Sequence, residues 1–174
     1  MMNEQQLKET IRSIPDFPSE GVLFRDITTL VKNPEAYESL ISAIADELRP
    51  LDVDIVIGPE ARGFVIGAAV AYAIRAGFVL ARKPGKLPGE VNRISYGLEY
   101  GSDCLEIHTD AIQPGQRVAI VDDLLATGGT ARAAAELVRE MGGEVAAMAF
   151  AIELTDLGGR EKLGDYPVVA AIKY

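Results

Sequence analysis

The run VAIVDDLLATGGTARAAAELV, residues 118–138, decides how this chain folds and raises the question of what it holds. Val118–Val121 is continuously apolar, the pattern of a strand buried on both faces. Thr130–Met141 reads as a helix, stopped by Gly142 and Gly143. Between them Ala126, Thr127, Gly128, Gly129 and Thr130 form a turn whose backbone N–H groups point out from a helix N-terminus, where an anion is favoured. The two glycines admit an anion nest with no Cβ in the way, and the threonine hydroxyls add donors. Yet Asp122 and Asp123 stand beside this turn, and carboxylates repel phosphate. A Walker-type loop would carry Gly-Lys-Ser/Thr, because its lysine works on a phosphoryl group in transit. This turn has no lysine, so its phosphate is expected to be a handle, held but not transferred. The two acids then need a neighbouring group that favours carboxylates. A sugar's vicinal hydroxyls, close to its phosphate, meet that need, and a magnesium ion on those hydroxyls would help. The ligand suggested is a sugar phosphate, most simply a ribose 5-phosphate.

Working outward, strands and helices alternate. Val53–Ile57, Phe78–Ala81, Arg117–Val121, Val145–Ile152 and Val168–Ile172 read as strands, and Ala36–Leu48, Gly63–Arg75 and Thr130–Met141 as helices. Asn33 followed by Pro34 is a helix start, a cap and then a first-turn proline. This alternation predicts an α/β fold, a mostly parallel sheet covered on both faces, with ligands beyond the carboxyl ends of its strands. Glu4–Ser13 reads as a short amphipathic helix and Asp16–Thr29 as an irregular loop. The chain reads as a single domain spanning 1–174, with residues 1–33 an N-terminal segment ahead of the alternation. Lys83–Cys104, rich in glycine and proline, fits neither pattern. So long a loop in a compact domain is expected to be a functional flap or to be disordered.

Charge and cysteine usage narrow the class. With 17 Lys plus Arg against 26 Asp plus Glu, the net charge is -9, a poor match for nucleic acid or an anionic membrane. Any anion must be caught locally. Cys104 is the only cysteine and His108 the only histidine, so no intrachain disulfide and no cysteine-based zinc site is possible. Both are expected to be ordinary strand or strand-edge residues. A reduced, cytoplasmic setting is expected, without signal peptide or membrane span.

Residues 118–130 resemble the signature of the phosphoribosyltransferases that bind phosphoribosyl pyrophosphate (PRPP), and VDDLLATGGT is similar to the adenine-specific form. The likeness extends through IPDFP, GVLFRDIT, EARGF, RKPGKLPG, SYGLEYGSDCLEI and ELTDLGGREKL. It implies the phosphoribosyltransferase fold with a hood and a flexible flap. It assigns the ribose hydroxyls to Asp122 and Asp123, and the 5′-phosphate to Ala126, Thr127, Gly128, Gly129 and Thr130. The turn holding Glu60, Ala61 and Arg62 becomes the pyrophosphate loop, where a guanidinium fork suits phosphate oxygens. Arg82 and Lys86 are placed near the pyrophosphate, partly across a dimer interface; Lys83 lies between them.

In the same comparison Val22, Phe24 and Arg25 fall in the adenine-binding segment, with Phe24 able to stack on the purine and Leu154 on its other side. Glu99 in the flap is assigned the purine proton, beside Tyr100, which covers the ligand. The resemblance therefore implies an enzyme, a pentosyltransferase making AMP and pyrophosphate from adenine and PRPP, with Mg2+ bound mainly through substrate oxygens, and a homodimer. An enzyme acting on a 6-oxopurine, or a non-catalytic PRPP-sensing regulator, are the alternatives. A regulator would be expected to carry a basic nucleic-acid surface, and this acidic chain has none in its composition.

Overall fold

A computed structural model describes residues 1–97 and 102–174. In chain order its elements are α1 (Glu4–Thr10), β1 (Arg12–Pro15), β2 (Leu23–Asp26), α2 (Thr28–Val31), α3 (Pro34–Leu48), β3 (Ile55–Pro59), α4 (Arg62–Ile74), β4 (Gly77–Ala81), β5 (Val91–Gly97), β6 (Ser102–His108), β7 (Arg117–Leu125), α5 (Gly129–Glu140), β8 (Glu144–Glu153), α6 (Gly159–Lys162) and β9 (Val168–Lys173).

The five apolar strands form one parallel sheet in the order β4-β3-β7-β8-β9. Alternate residues of β7 serve opposite faces. Ala119 and Val121 pack with Leu40, Ile44, Ile66 and Val70 of α3 and α4. Val118 and Ile120 pack with Ala134, Leu137 and Val138 of α5 and with Leu105 and Ile107 of β6. Both faces are dry, which is why the strand sequence is continuously apolar. On the first face α3 starts as expected: the Asn33 side chain accepts from the N–H groups of Glu35 and Ala36, and Pro34 occupies the first turn.

From β3 the chain steps outward to β4 in one direction, and from β7 it steps through β8 to β9 in the other. The sheet order therefore switches between β3 and β7. The two strands pair only from Ile55↔Val118 to Ile57↔Ile120, then part, because β3 turns into α4 while β7 runs on to Leu125. A crevice opens at their carboxyl ends, where such folds bind ligands.

Two regions differ from the loops expected. Within the hood, β1 and β2 pair antiparallel, Arg12↔Asp26 to Pro15↔Leu23, and the turn-forming Asp16, Pro18 and Gly21 are confined to the connection. Asp26, 6% exposed, ties the hairpin. It accepts from the Arg12 Nε at 3.0 Å and from the Thr28 N–H and hydroxyl at 3.0 and 2.6 Å. The Thr28 and Arg12 hydrogen bonds hold its carboxyl down at about 2. In the expected flap, β5 and β6 form an antiparallel hairpin, Val91↔His108 to Gly97↔Ser102. Ile94, Leu105 and Ile107 turn inward against the core, so the glycines and prolines of 84–89 mark the approach to the hairpin rather than its body. Cys104 and His108 lie on β6 as expected.

Candidate active site

The crevice is built from the ends of three elements. β7 continues through the acid pair: Asp122 pairs with Phe150 and Leu124 with Ile152 on β8. Asp122 and Asp123 are therefore fixed by the ladder, with side chains on opposite faces of the strand. The Asp122 carboxylate rests on the first turn of α4. A Cβ on Gly63 would lie 2.7 Å from its Oδ1, so the acid comes this close because residue 63 has no side chain. Burial pushes the Asp122 carboxyl well above the usual carboxylate range, and the neighbouring Asp123 charge pushes it the same way. Asp123 is balanced instead: its Oδ2 accepts from the Arg62 Nε at 2.5 Å. The Asp123 N–H in turn donates to Asp122 Oδ1 at 2.8 Å.

Gly128 precedes α5, and its φ of +82° is the left-handed region that favours glycine. No side chain caps this helix, so its first-turn N–H groups are left for a ligand. Across the crevice lies the 58–62 turn, whose Glu60–Ala61 peptide bond is cis. Glu60 accepts from the Arg82 guanidinium at 3.2 Å and from the Lys83 N–H. Burial would raise the Glu60 carboxyl, but these donors outweigh it and hold it below its ordinary value.

The hairpin closes over this arrangement. Lys83 Nζ pairs with Asp103, and the Tyr96 hydroxyl bonds Asp103 Oδ2 at 3.2 Å and Thr130 Oγ1 at 3.3 Å. The resulting cavity of about 370 Å³ is lined by the Pro59–Arg62 turn, Lys83, Tyr96, both aspartates and Thr130. A second cavity of about 670 Å³ lies on the other side of Tyr96, along Thr127–Gly129 and the exposed face of α5. The smaller one brings the acid pair, Arg62 and Lys83 together with Thr130, the last residue of the anion turn. Above it the hood brings Phe24, whose ring centroid is 5.5 Å from the Arg62 Cζ. An aromatic ring, a cation fork and a diacid thus share one crevice, and the anion turn runs from its edge at Thr130 into the neighbouring cavity. That set fits a ligand with a flat base, a diol and phosphates.

Comparison with known proteins agrees. A model of the phosphoribosyl transferase domain matches residues 26–170. The adenine phosphoribosyltransferase of Alkaliphilus metalliredigens is 61% identical over 97% of this chain and 99% of its own length, and that of Clostridium botulinum is 58% identical over 97% and 98%. The chain belongs to the adenine phosphoribosyltransferase family. Solved structures concur: the Thermoanaerobacter pseudethanolicus enzyme superposes with a TM-score of 0.96 at 50% identity, covering 99% of this chain and 100% of its own. The Saccharomyces cerevisiae enzyme, complexed with an imino-altritol bisphosphate and adenine, gives 0.90 at 44%, covering 95% and 96%.

Six of the residues singled out by the family motifs line the crevice: Glu60, Ala61, Arg62, Asp122, Asp123 and Thr130. Thr127, Gly128 and Gly129 continue the turn along the larger cavity. Others lie elsewhere. The Arg25 guanidinium sits over the Tyr174 ring at 3.8 Å and donates to Ser13 Oγ at 2.6 Å. The Val22 N–H donates to Ser19 O and its carbonyl accepts from Phe17 N, so both backbone groups serve the hood's own loop. Leu154, partly buried, follows β8 and donates its N–H to Leu125 O. Lys86 is exposed, and its carbonyl faces the Arg82 Nη1 at 3.4 Å. Glu99 and Tyr100 lie outside the described residues.

Sequence reasoning did not single out Asp103, a lone acid whose partners Lys83 and Tyr96 are known only from the folded hairpin. Nor did it give a role to Gly159 or Arg160, although both stand in the quoted motif ELTDLGGREKL.

Proposed function

We propose that this chain transfers the 5-phosphoribosyl group of PRPP to adenine, giving AMP and pyrophosphate, a purine-salvage step. The observation that carries this reading is the meeting, beneath Phe24, of the acid pair and Arg62 at the end of the uncapped α5 turn, whose Thr130 lines the same crevice. The activity named for relatives of 61% and 58% identity supports it, as does the adenine in the yeast enzyme's complex.

In this reading Ala126–Thr130 holds the 5′-phosphate, Asp122 and Asp123 accept hydrogen bonds from the ribose hydroxyls, and Arg62 and Lys83 receive the pyrophosphate. A purine nitrogen forms a bond to the anomeric carbon as the bond to pyrophosphate oxygen breaks, through an oxocarbenium-like state of the kind seen in glycosyl transfer. The chain's contribution is positioning, neutralisation of the leaving group, and exclusion of water by the hairpin. Glu99 handles the purine proton and Tyr100 covers the ligand.

Among the described residues no three His, Cys, Asp or Glu side chains converge as a metal cage. In this reading a magnesium ion would take its ligands mainly from PRPP oxygens, with Asp122 and Asp123 the carboxylates to join them. When bound, it supplies positive charge to the departing pyrophosphate.

A homodimer completes the proposal. α4 exposes Val65 and Tyr72 on one face, and the edge strand β4 exposes Leu80, apolar side chains of the kind a second copy would cover. A sedimentation measurement showing a fully active monomer would remove the dimer. Pyrophosphate release from PRPP, assayed with each purine base, tests the reaction. Turnover with hypoxanthine or guanine comparable to that with adenine would move the chain to the oxopurine enzymes. PRPP binding without turnover of any base would make it a sensor.

A further inference from the structure

Residues 155–163 play no part in the roles above, yet this segment lies directly against the anion turn. A Cβ on Gly159 would stand 2.2 Å from the Ala126 carbonyl oxygen and 3.0 Å from Leu125 Cδ1. From the other side, a Cβ on Gly128 would stand 2.8 Å from the Gly159 carbonyl oxygen and 3.3 Å from Leu163 Cδ2. The backbones of 126–128 and 159 are thus in contact, with buried Leu163 beside them. Gly158, with φ +62°, supplies the left-handed residue that turns the chain here, whereas Gly159 is not among the positive-φ glycines. Residue 159 lacks a side chain for reasons of space, and that space is set by the turn.

Gly159 is held from below. Its neighbour Arg160 donates from Nε to Glu153 Oε1 at 2.8 Å, from Nη2 to Glu153 Oε2 at 2.5 Å and from Nη1 to the Val168 carbonyl at 2.8 Å. Glu153, 4% exposed, is the last residue of β8, and Val168 is the first of β9. A planar fork with fixed donors is suited to such a bidentate clamp. Sheet, clamp, Gly159 and anion turn form one contiguous stack.

We propose that Gly159 is a positioning residue for the anion turn: its bare Cα sets the placement of Ala126–Gly128, and the Arg160–Glu153 pair fixes Gly159 to the sheet. The inference rests on the reading that this turn takes the 5′-phosphate of PRPP. A substituent at 159 would push the turn by the order of an ångström, while the pyrophosphate loop at 58–62, on the other side of the crevice, would be untouched.

The test separates the two ends of the ligand. The Gly159→Ala variant of the full chain is titrated with ribose 5-phosphate and, separately, with inorganic pyrophosphate. Ribose 5-phosphate should bind about 10- to 100-fold more weakly, the scale of a misplacement of about 1 Å, and pyrophosphate should change by less than about twofold. In steady state KM for PRPP should rise while KM for adenine at saturating PRPP stays constant. Gly164→Ala is the control: its φ is +67° and nothing lies within 4 Å of a Cβ there, so it strains the backbone without touching the turn and should leave both ligands unaffected. Arg160→Lys keeps the charge but loses the fork, and carries the test if Gly159→Ala does not fold; its loss should be smaller and again confined to ribose 5-phosphate. Equal weakening of both ligands, or of neither, overturns the inference. If the unmodified protein binds neither ribose 5-phosphate nor PRPP, the functional reading itself is overturned.

Discussion

Replacing both Asp122 and Asp123 with Asn should cost PRPP binding far more than it costs the fold. Asn at 122 keeps an oxygen for the Asp123 N–H, now 2.8 Å from Asp122 Oδ1. Asn at 123 keeps an acceptor for Arg62 but loses the ion pair. Arg62 is half-exposed, so that loss is about 0.2–1 kcal/mol after screening. Opposing it is the relief of a charge that burial and Asp123 make unfavourable at 122. The thermal midpoint should therefore move by no more than about 2–4 °C, the shift per kcal/mol for a chain of this length.

Binding should fall more. A hydrogen bond to a charged acceptor contributes about 1.5–3 kcal/mol, against about 0.5–1.5 for a neutral one. Losing the charge on two groups then costs about 2–3 kcal/mol, or roughly 30- to 150-fold in Kd. Calorimetric titration with PRPP, paired with thermal melts, measures both quantities. The pH dependence adds a signed check on Asp122→Asn alone. Folding raises the Asp122 pKa, so the stability linked to its proton is present below the ordinary carboxylate value and is lost as pH climbs through the raised one. The variant should therefore gain on the parent protein as pH increases from about 4, the ordinary carboxylate region. A double variant with the parent Kd for PRPP would refute the diol assignment, and a pH-independent difference in midpoint would refute the account of Asp122.

Glu99→Leu should lower turnover by about 10²–10⁴, the range for a positioned acid–base group, with PRPP affinity retained; near-parent turnover would exclude the proton role. Adenine should be preferred over hypoxanthine by up to roughly 10⁴ in kcat/KM, since a site built for the amino donor penalises its absence, and competition assays with the two bases would show it. Asp26→Asn should lose stability at neutral pH but not near pH 2, because the depressed Asp26 pKa contributes only above its ordinary value and fades as pH falls toward about 2; parallel acid titrations of the two proteins would read it. Arg25→Ala should loosen the hood against Tyr174 and raise KM for adenine more than KM for PRPP, and an effect on PRPP alone would contradict that placement.

The sheet was legible in the sequence because its strands are dry on both faces, and continuous apolar runs such as Val118–Val121 have few other readings. The same logic placed β7's end too early. Two aspartates look like the end of a buried strand, but the ladder to β8 carries β7 on to Leu125. The hairpins were missed for different reasons. β1 and β2 are four residues each, too short to show a period beside Pro15 and Pro18, whereas β5 and β6 were obscured by the glycines that flank them. Side-chain direction was the least legible property. Arg25 lies in the segment the motif assigns to the base, yet Tyr174, far along the chain, claims its guanidinium. Gly159 reads as one more loop glycine until Ala126 is seen against it.

The juxtaposition in VDDLLATGGT resolves at the level of charge pairing. Each cation of the crevice is already matched with an acid: Arg62 with Asp123, Arg82 with Glu60, and Lys83 with Asp103. In an acidic chain, unpaired cations would draw on the field of the whole molecule, and paired ones stay oriented without a ligand. A ligand phosphate must then compete with a carboxylate for each cation, and the displaced carboxylate loses a partner unless the ligand supplies another. Inorganic phosphate supplies none. In the proposed reading, a ribosyl pyrophosphate brings phosphates to the cations and, a few ångströms away, hydroxyl donors to Asp122 and Asp123. In that reading the exchange at Arg62 is balanced only for a molecule carrying both, and inorganic phosphate should bind this site more weakly than PRPP, which a competition titration would show.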